Sequence, residues 1–173
     1  MSGSLNLVSS VSVSSATATV SLTGIDSTYN VYKVIGSNLR PASAAQLEVR
    51  LTKGGSVQSD SEYDWAYLGM YTGGTFVHEG STGADSFFVY NAYEETTGTG
   101  RGNGFIMYLF NFNESEYSQF TLEQTYSHST GAMAGNQGGC IHTVASASDG
   151  IQFLWDGGHN FEQGDFKLYG LSK

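Results

Sequence analysis

Cysteine occurs once, at Cys140, so no disulfide can close within the chain and its stability has to come from packing or from neighbouring subunits. Proline also occurs once, at Pro41, which leaves nearly every backbone N–H free to join a hydrogen-bonded ladder. Seven basic side chains stand against sixteen acidic ones, a formal charge of −9, so a phosphate backbone would be repelled and nucleic acid is not expected as a partner. No stretch approaches the ~20 apolar residues needed to cross a bilayer, and no membrane partner is expected. The start, Met1-Ser-Gly-Ser-Leu-Asn-Leu7, has neither the basic residues nor the apolar run of a signal peptide. The chain is therefore expected to be made in the cytosol and to leave, if it leaves, by lysis inside a larger particle. Apolar residues nowhere recur at helical spacing for three turns, which excludes a helical framework.

What remains is period two. Thirteen per cent aromatic residues and 23 glycines describe strands built on Tyr, Phe and Val and joined by Gly-rich turns. A length of 173 residues suits a single domain, 1–173. Strands are expected at Leu5 to Val13, Ala16 to Thr23, Tyr29 to Ile35 and Ala45 to Leu51, with Glu48 and Arg50 facing water. Further strands are expected at Glu62 to Tyr67, Thr75 to His78, Ser86 to Tyr90, Phe105 to Phe110, Phe120 to Tyr126 and Cys140 to Val144. Ile151 to Trp155 and Phe166 to Tyr169 are read as a closing hairpin that makes the last strand part of the core. Tyr29 to Ile35 is apolar on both faces, as expected of a central strand covered twice or one lying at a subunit boundary. Ser37 to Ser43, with Pro41, is expected to break the pattern as a loop, and Lys53-Gly-Gly55 to form a positive-φ turn. The fold class is all-β: an antiparallel β-sandwich, jelly-roll-like, of about ten strands.

Few residues suggest chemistry. Gly98, Gly100, Gly102 and Gly104 alternate, but a phosphate-binding loop needs a helix behind it and here a strand follows, so the segment reads as an exposed loop with Arg101 as a surface or subunit contact. His78, His128, His142 and His159 fall on separate elements, and no metal is assigned to them. Asp149-Gly and Asp156-Gly-Gly place carboxylates at tight bends, where turn chemistry and a calcium site are both open readings. Cys140 lies two residues from His142, yet its apolar setting reads as a buried small side chain rather than a nucleophile. The strand carboxylates Glu48, Glu62, Asp64 and Glu123 are of the kind a glycosidase uses, and solvated strand faces explain them more simply. Tyr63, Trp65 and Tyr67 alternate on one strand face, either as a sugar-stacking platform or as an aromatic ladder in the core or at a subunit contact. No catalytic residue, cofactor or metal is expected, and the chain is not read as an enzyme.

Two segments add to this. Asp149-Gly-Ile-Gln-Phe-Leu-Trp155 followed by Gly164-Asp-Phe-Lys-Leu-Tyr-Gly-Leu171 resembles the closing segment of small virion structural proteins of tailed bacteriophages. Tyr29-Asn-Val-Tyr-Lys-Val-Ile-Gly-Ser-Asn-Leu-Arg-Pro41, leading to Leu47-Glu-Val-Arg-Leu51, is similar to the other segment of that group, while the middle of the chain shows no such likeness. The resemblance implies a jelly-roll-like sandwich on the particle surface, as a capsid decoration or cement subunit beside the major capsid protein and often as a trimer. The alternative it implies is a tail or head fibre protein that binds a host receptor or surface glycan. In either case the chain would be located in the virion. Leu5 to Val13 and the Ser37 to Ser43 loop, with Arg40, are the expected docking segments, and the loops at Thr96 to Gly104 and His128 to Gly139 are expected to point outward.

Overall fold

The computed structural model describes residues 4–89, 103–127 and 132–172. Thirteen strands run through them in chain order: β1 (Leu5–Val13), β2 (Thr19–Thr23), β3 (Val31–Pro41), β4 (Leu47–Lys53), β5 (Ser56–Val57), β6 (Tyr63–Tyr71), β7 (Phe76–Ala84), β8 (Phe87–Val89), β9 (Asn103–Phe110), β10 (Ser118–Ser127), β11 (Met133–His142), β12 (Gly150–Trp155) and β13 (Phe161–Leu171). They form two antiparallel layers, an eight-stranded sheet ordered β1-β13-β3-β9-β10-β11-β6-β7 and a smaller one ordered β2-β12-β4-β5, with β8 also paired to β4. The all-β antiparallel sandwich expected from the two-residue period is the fold.

The core lies between the layers and follows the alternation. β10 buries Phe120, Leu122 and Tyr126 while Gln119, Thr121, Glu123 and Thr125 stay exposed, and β9 buries Phe105, Met107 and Leu109. Phe153 of the small sheet meets Phe105 and Phe166 of the large one, with ring centroids 5.4 and 5.0 Å apart. Tyr63 ties the layers polar-to-polar: its hydroxyl accepts from the Leu51 N–H at 3.0 Å and donates to the Gln58 carbonyl at 2.8 Å. Such a pairing lets a large ring be buried without stranding its oxygen. The Gly54–Gly55 turn has the positive φ expected of it, 57° and 75°.

Three expectations are corrected. The closing segments are not a hairpin: β12 pairs with β2 and β4 in the small sheet, whereas β13 pairs with β1 and β3 in the large one. The chain switches layers at Asp156–Gly158, where Gly157 and Gly158 take positive φ, so the inward faces of both strands meet the same core from opposite sides. Apolar alternation is identical for a hairpin and for such an arch, which is why sequence does not separate them. Ser37 to Ser43 is not a free loop either, because β3 continues to Pro41 between β13 and β9. Register shifts on both sides and a left-handed Asn38 (φ 54°) absorb the irregular sequence as bulges, and Pro41, which lacks a donor, stands last in the strand. Of the expected outward loops, residues 96–102 and 128–131 lie outside the described residues, while Met133 to Gly139 is already strand β11.

Candidate functional site

The residues proposed as contacts are mostly structural. Tyr63 and Tyr67 point inward from β6 and are buried, and half-buried Trp65 stacks on Tyr67 (5.7 Å, 14°) and lies 5.8 Å from Phe88. The three form the aromatic ladder of the core rather than a platform open to solvent. Arg40 joins Glu162 at 2.9 Å, a partly exposed clasp between β3 and β13 of the kind that contributes little to stability. Arg101 lies outside the described residues.

The titratable residues are also placed for structure. Cys140 is buried in β11, and burial, with the charge of Asp64 adding to it, pushes its thiol far above the usual range, so the thiolate needed for attack is not formed. His142, two residues on, is fully buried against the Tyr63 ring, with Nε2 3.2 Å from Glu62 Oε2. Burial lowers its pKa and Glu62 opposes that shift. Glu48 does not face water as expected. It is buried mid-sheet between β12 and β8, with its pKa raised by burial, and Arg50 lies 3.3 Å away to offset the charge.

Asp64 accepts from the Gly83 N–H at 2.8 Å, and Asp149 accepts from Thr52 Oγ1 at 2.7 Å and the Gly55 N–H at 2.8 Å. Asp156 accepts from the Gln46 N–H at 2.8 Å, so both bend aspartates are occupied by the turns they stabilise. Among the described residues no three His, Cys, Asp or Glu side chains converge as a metal would require, and no helix is long and apolar enough to cross a membrane.

The surface left without a structural role is the outer face of the eight-stranded sheet. One row of side chains crosses it: Leu7, Tyr169, Lys33 and Tyr108 on β1, β13, β3 and β9, continued by Thr121, Gly139, Ala66 and Gly80 on β10, β11, β6 and β7. The neighbouring row runs Ser10, Lys167, Ile35 and Ile106, then Glu123, Gln137, Leu68 and His78. Half of this face is thus raised and partly apolar, with Lys33 set 5.3 Å over the Tyr108 ring. On the other half the central row is low, while exposed Ile141, Leu68 and Met70 stand in the flanking rows, and two shallow troughs lie mainly over it. One, of about 500 Å³, is walled by Asp64, Phe110 and Gln119 over a floor of Thr121 and Gly139. The second, of about 540 Å³, lies among Ile35, Ile106, Glu123, Gly135 and Met70.

Among the described residues both edges of the sheet are open, with β1 and β7 each paired on one side only. β1 is nine residues long with no charge and no proline, and Leu5 and Leu7 are 50% and 58% exposed. Sequence reasoning reached this outer face only through Tyr29 to Ile35, read as a strand covered twice or lying at a subunit boundary. The signal for it was the absence of alternation in Phe105 to Phe110 and Tyr29 to Ile35, which are apolar on both sides although this chain covers only one.

No family model matches the sequence, and no curated protein matches it. Among solved structures it is similar to a toad ovary galectin in complex with thio-digalactose, at 11% identity and a TM-score of 0.31 over 87% of this chain and 99% of that one. It is also similar to the Caenorhabditis elegans galectin LEC-6, at 10% identity and a TM-score of 0.34 over 89% of this chain and 90% of that one. At these values the likeness goes no further than the two-sheet architecture.

Proposed function

We propose that this chain is a non-enzymatic structural protein of a bacteriophage virion, a capsid decoration subunit that cements the shell by adding its β1 edge to neighbouring capsid protein. The observation that carries the reading is that edge: nine residues without charge or proline, with exposed Leu5 and Leu7 among them and one side of the backbone unpaired by any described residue. Soluble proteins ordinarily guard such an edge with Lys, Pro or a covering element, because unpaired N–H and C=O groups template another strand. The resemblance of residues 29–41, 47–51, 149–155 and 164–171 to phage virion proteins supplies the context. A subunit that binds only the assembled shell stabilises it by RT ln(1 + [L]/Kd), about 2.7 kcal/mol at a hundredfold excess over Kd.

The test is re-addition of the protein to shells stripped of it, followed by thermal disruption. Wild-type protein is expected to restore the disruption temperature, whereas a Leu5→Lys, Leu7→Lys variant, which charges the edge without touching the core, is expected not to. Equal restoration by both, or shells indifferent to the protein, would refute the reading. Staining of purified particles against the major capsid protein separates the alternatives, since decoration calls for hundreds of copies and a receptor- or glycan-binding fibre for tens.

A further inference from the structure

We propose that two copies of this chain pack face to face through the outer surfaces of their eight-stranded sheets, across a twofold axis that runs parallel to the strands over the β9–β10 boundary. This interface uses the outward side chains of the sheet, Leu7 of β1 among them, and not the open backbone edge of β1. It follows from the way the face divides. On β13, β3 and β9 the central row carries Tyr169, Lys33 and Tyr108, and on β6, β11 and β10 it carries Ala66, Gly139 and Thr121.

A twofold in that position exchanges β9 with β10, β3 with β11 and β13 with β6 while keeping each residue in its row. Tyr108 of one copy then lies over Thr121 of the other, Lys33 over Gly139 and Tyr169 over Ala66. Every large side chain of this row meets a small one, whereas in the neighbouring row Ile106, Ile35 and Lys167 meet Glu123, Gln137 and Leu68, so the close fit is that of the central row. An isologous contact requires this kind of self-complementarity.

Charge follows the same division. Lys33 and Lys167 stand on the raised half, and Glu123 and Asp64 line the troughs of the low half. Asp165, the acid on the raised half, lies at its end and is already held by Ser12 Oγ at 2.7 Å and Asn38 Nδ2 at 3.2 Å. The twofold sets Lys33, over Gly139, diagonally between Glu123 and Asp64 of the other copy, while Lys167 falls over Leu68, and it places no like charges opposite one another in the central rows.

The extent is adequate. Eight strands at about 4.8 Å spacing and some six residues of strand length give a face of roughly 700 Å² per copy, close to the ~800 Å² per partner of a standard interface. A second copy also covers the apolar outer sides of β3 and β9, which this chain leaves half exposed.

Sedimentation velocity on the full chain across a concentration series tests the proposal. Wild type is expected to dimerise. Lys33→Glu, and separately Glu123→Lys, are each expected to weaken dimerisation by ~10-fold or more, because like charges then adjoin each other. Mixing the two variants is expected to restore association as a heterodimer.

A second variant, Tyr169→Cys with Ala66→Cys, reports geometry. Its two sites lie five strands apart in one chain, about 24 Å, so an oxidised crosslink between them can form only between copies. A monomer at every concentration would overturn the proposal, as would a trimer, a dimer indifferent to the charge reversals, or failure of the paired cysteines to crosslink copies. The charge-reversed variants leave β1 unaltered and are expected to restore stripped shells as wild type does, so failure of this proposal is distinguishable from failure of the β1-edge reading.

Discussion

Replacing Phe153 with alanine tests the inter-sheet core where it is most concentrated. The ring is fully buried on β12, and its centroid lies 5.4 Å from that of Phe105 and 5.0 Å from that of Phe166, both on the opposite sheet. Removing it forfeits the transfer free energy of a buried aromatic side chain, about 2–3 kcal/mol, together with two ring contacts of about 0.5–1.5 kcal/mol each. Partial collapse of the neighbours into the void recovers some of this, so a net loss of about 3–5 kcal/mol is expected. Against a total stability of about 5–15 kcal/mol that is a large fraction. With a urea m-value of about 2 kcal/mol/M, the unfolding midpoint should fall by roughly 2 M. Equilibrium urea denaturation followed by tryptophan fluorescence measures it, with Phe76→Ala as the surface control, since Phe76 is 66% exposed and its loss should cost within about 0.5 kcal/mol. A Phe153→Ala loss below about 1 kcal/mol would mean that the two layers do not meet at this ring, and the sandwich as described would be wrong.

Three further outcomes are expected. Tyr63→Phe removes the acceptor of the buried Leu51 N–H and should cost about 1–3 kcal/mol in the same denaturation assay; a neutral result would show that the hydroxyl does not bridge the layers. Cys140, its thiol driven upward by burial, should not react with a thiol reagent in the folded protein and should react fully once denaturant is added; prompt labelling of the native state would contradict its burial. His142 has its pKa lowered by burial, with Glu62 opposing, so the unfolded chain takes up a proton before the folded one does. Its contribution is present above the unfolded histidine value of 6.5 and is lost as pH falls through that value toward the depressed folded one. Wild type should therefore lose more stability than His142→Gln between about pH 7.5 and about pH 5.5, and parallel pH curves for the two proteins would remove His142 from the account.

The sequence was most legible where alternation is strict. The expected first strand, Leu5 to Val13, coincides with β1, and the buried sides of β9 and β10 follow from counting by two. It was less legible where one pattern serves two geometries. The arch from β12 to β13 has the inward residues of a hairpin. The bulges of β3 conceal a strand behind a proline and a left-handed asparagine. Glu48 was read as solvated because it alternates with Val49 and Leu47, but the small sheet covers its polar side as well and Arg50 offsets the buried charge. The outer face was hardest to anticipate, because the change from large to small along its central row appears only when eight strands, distant in the chain, are set side by side in register.

The placement of β12 and β13 has a consequence for how the molecule is built. β13 lies between β1 and β3, and β12 lies between β2 and β4, so strands made late in synthesis slot into the middle of pairs made early. Until they arrive, β1 and β2 have no strand to pair with among the described residues, although β3 and β4 can already pair with β9, β5 and β8. Such non-local pairing delays the rewarding contacts until most of the loop entropy has been lost. Ribosome-bound nascent chains lacking residues 150–171 are therefore expected to remain protease-sensitive, with native structure gained after synthesis in a single cooperative step.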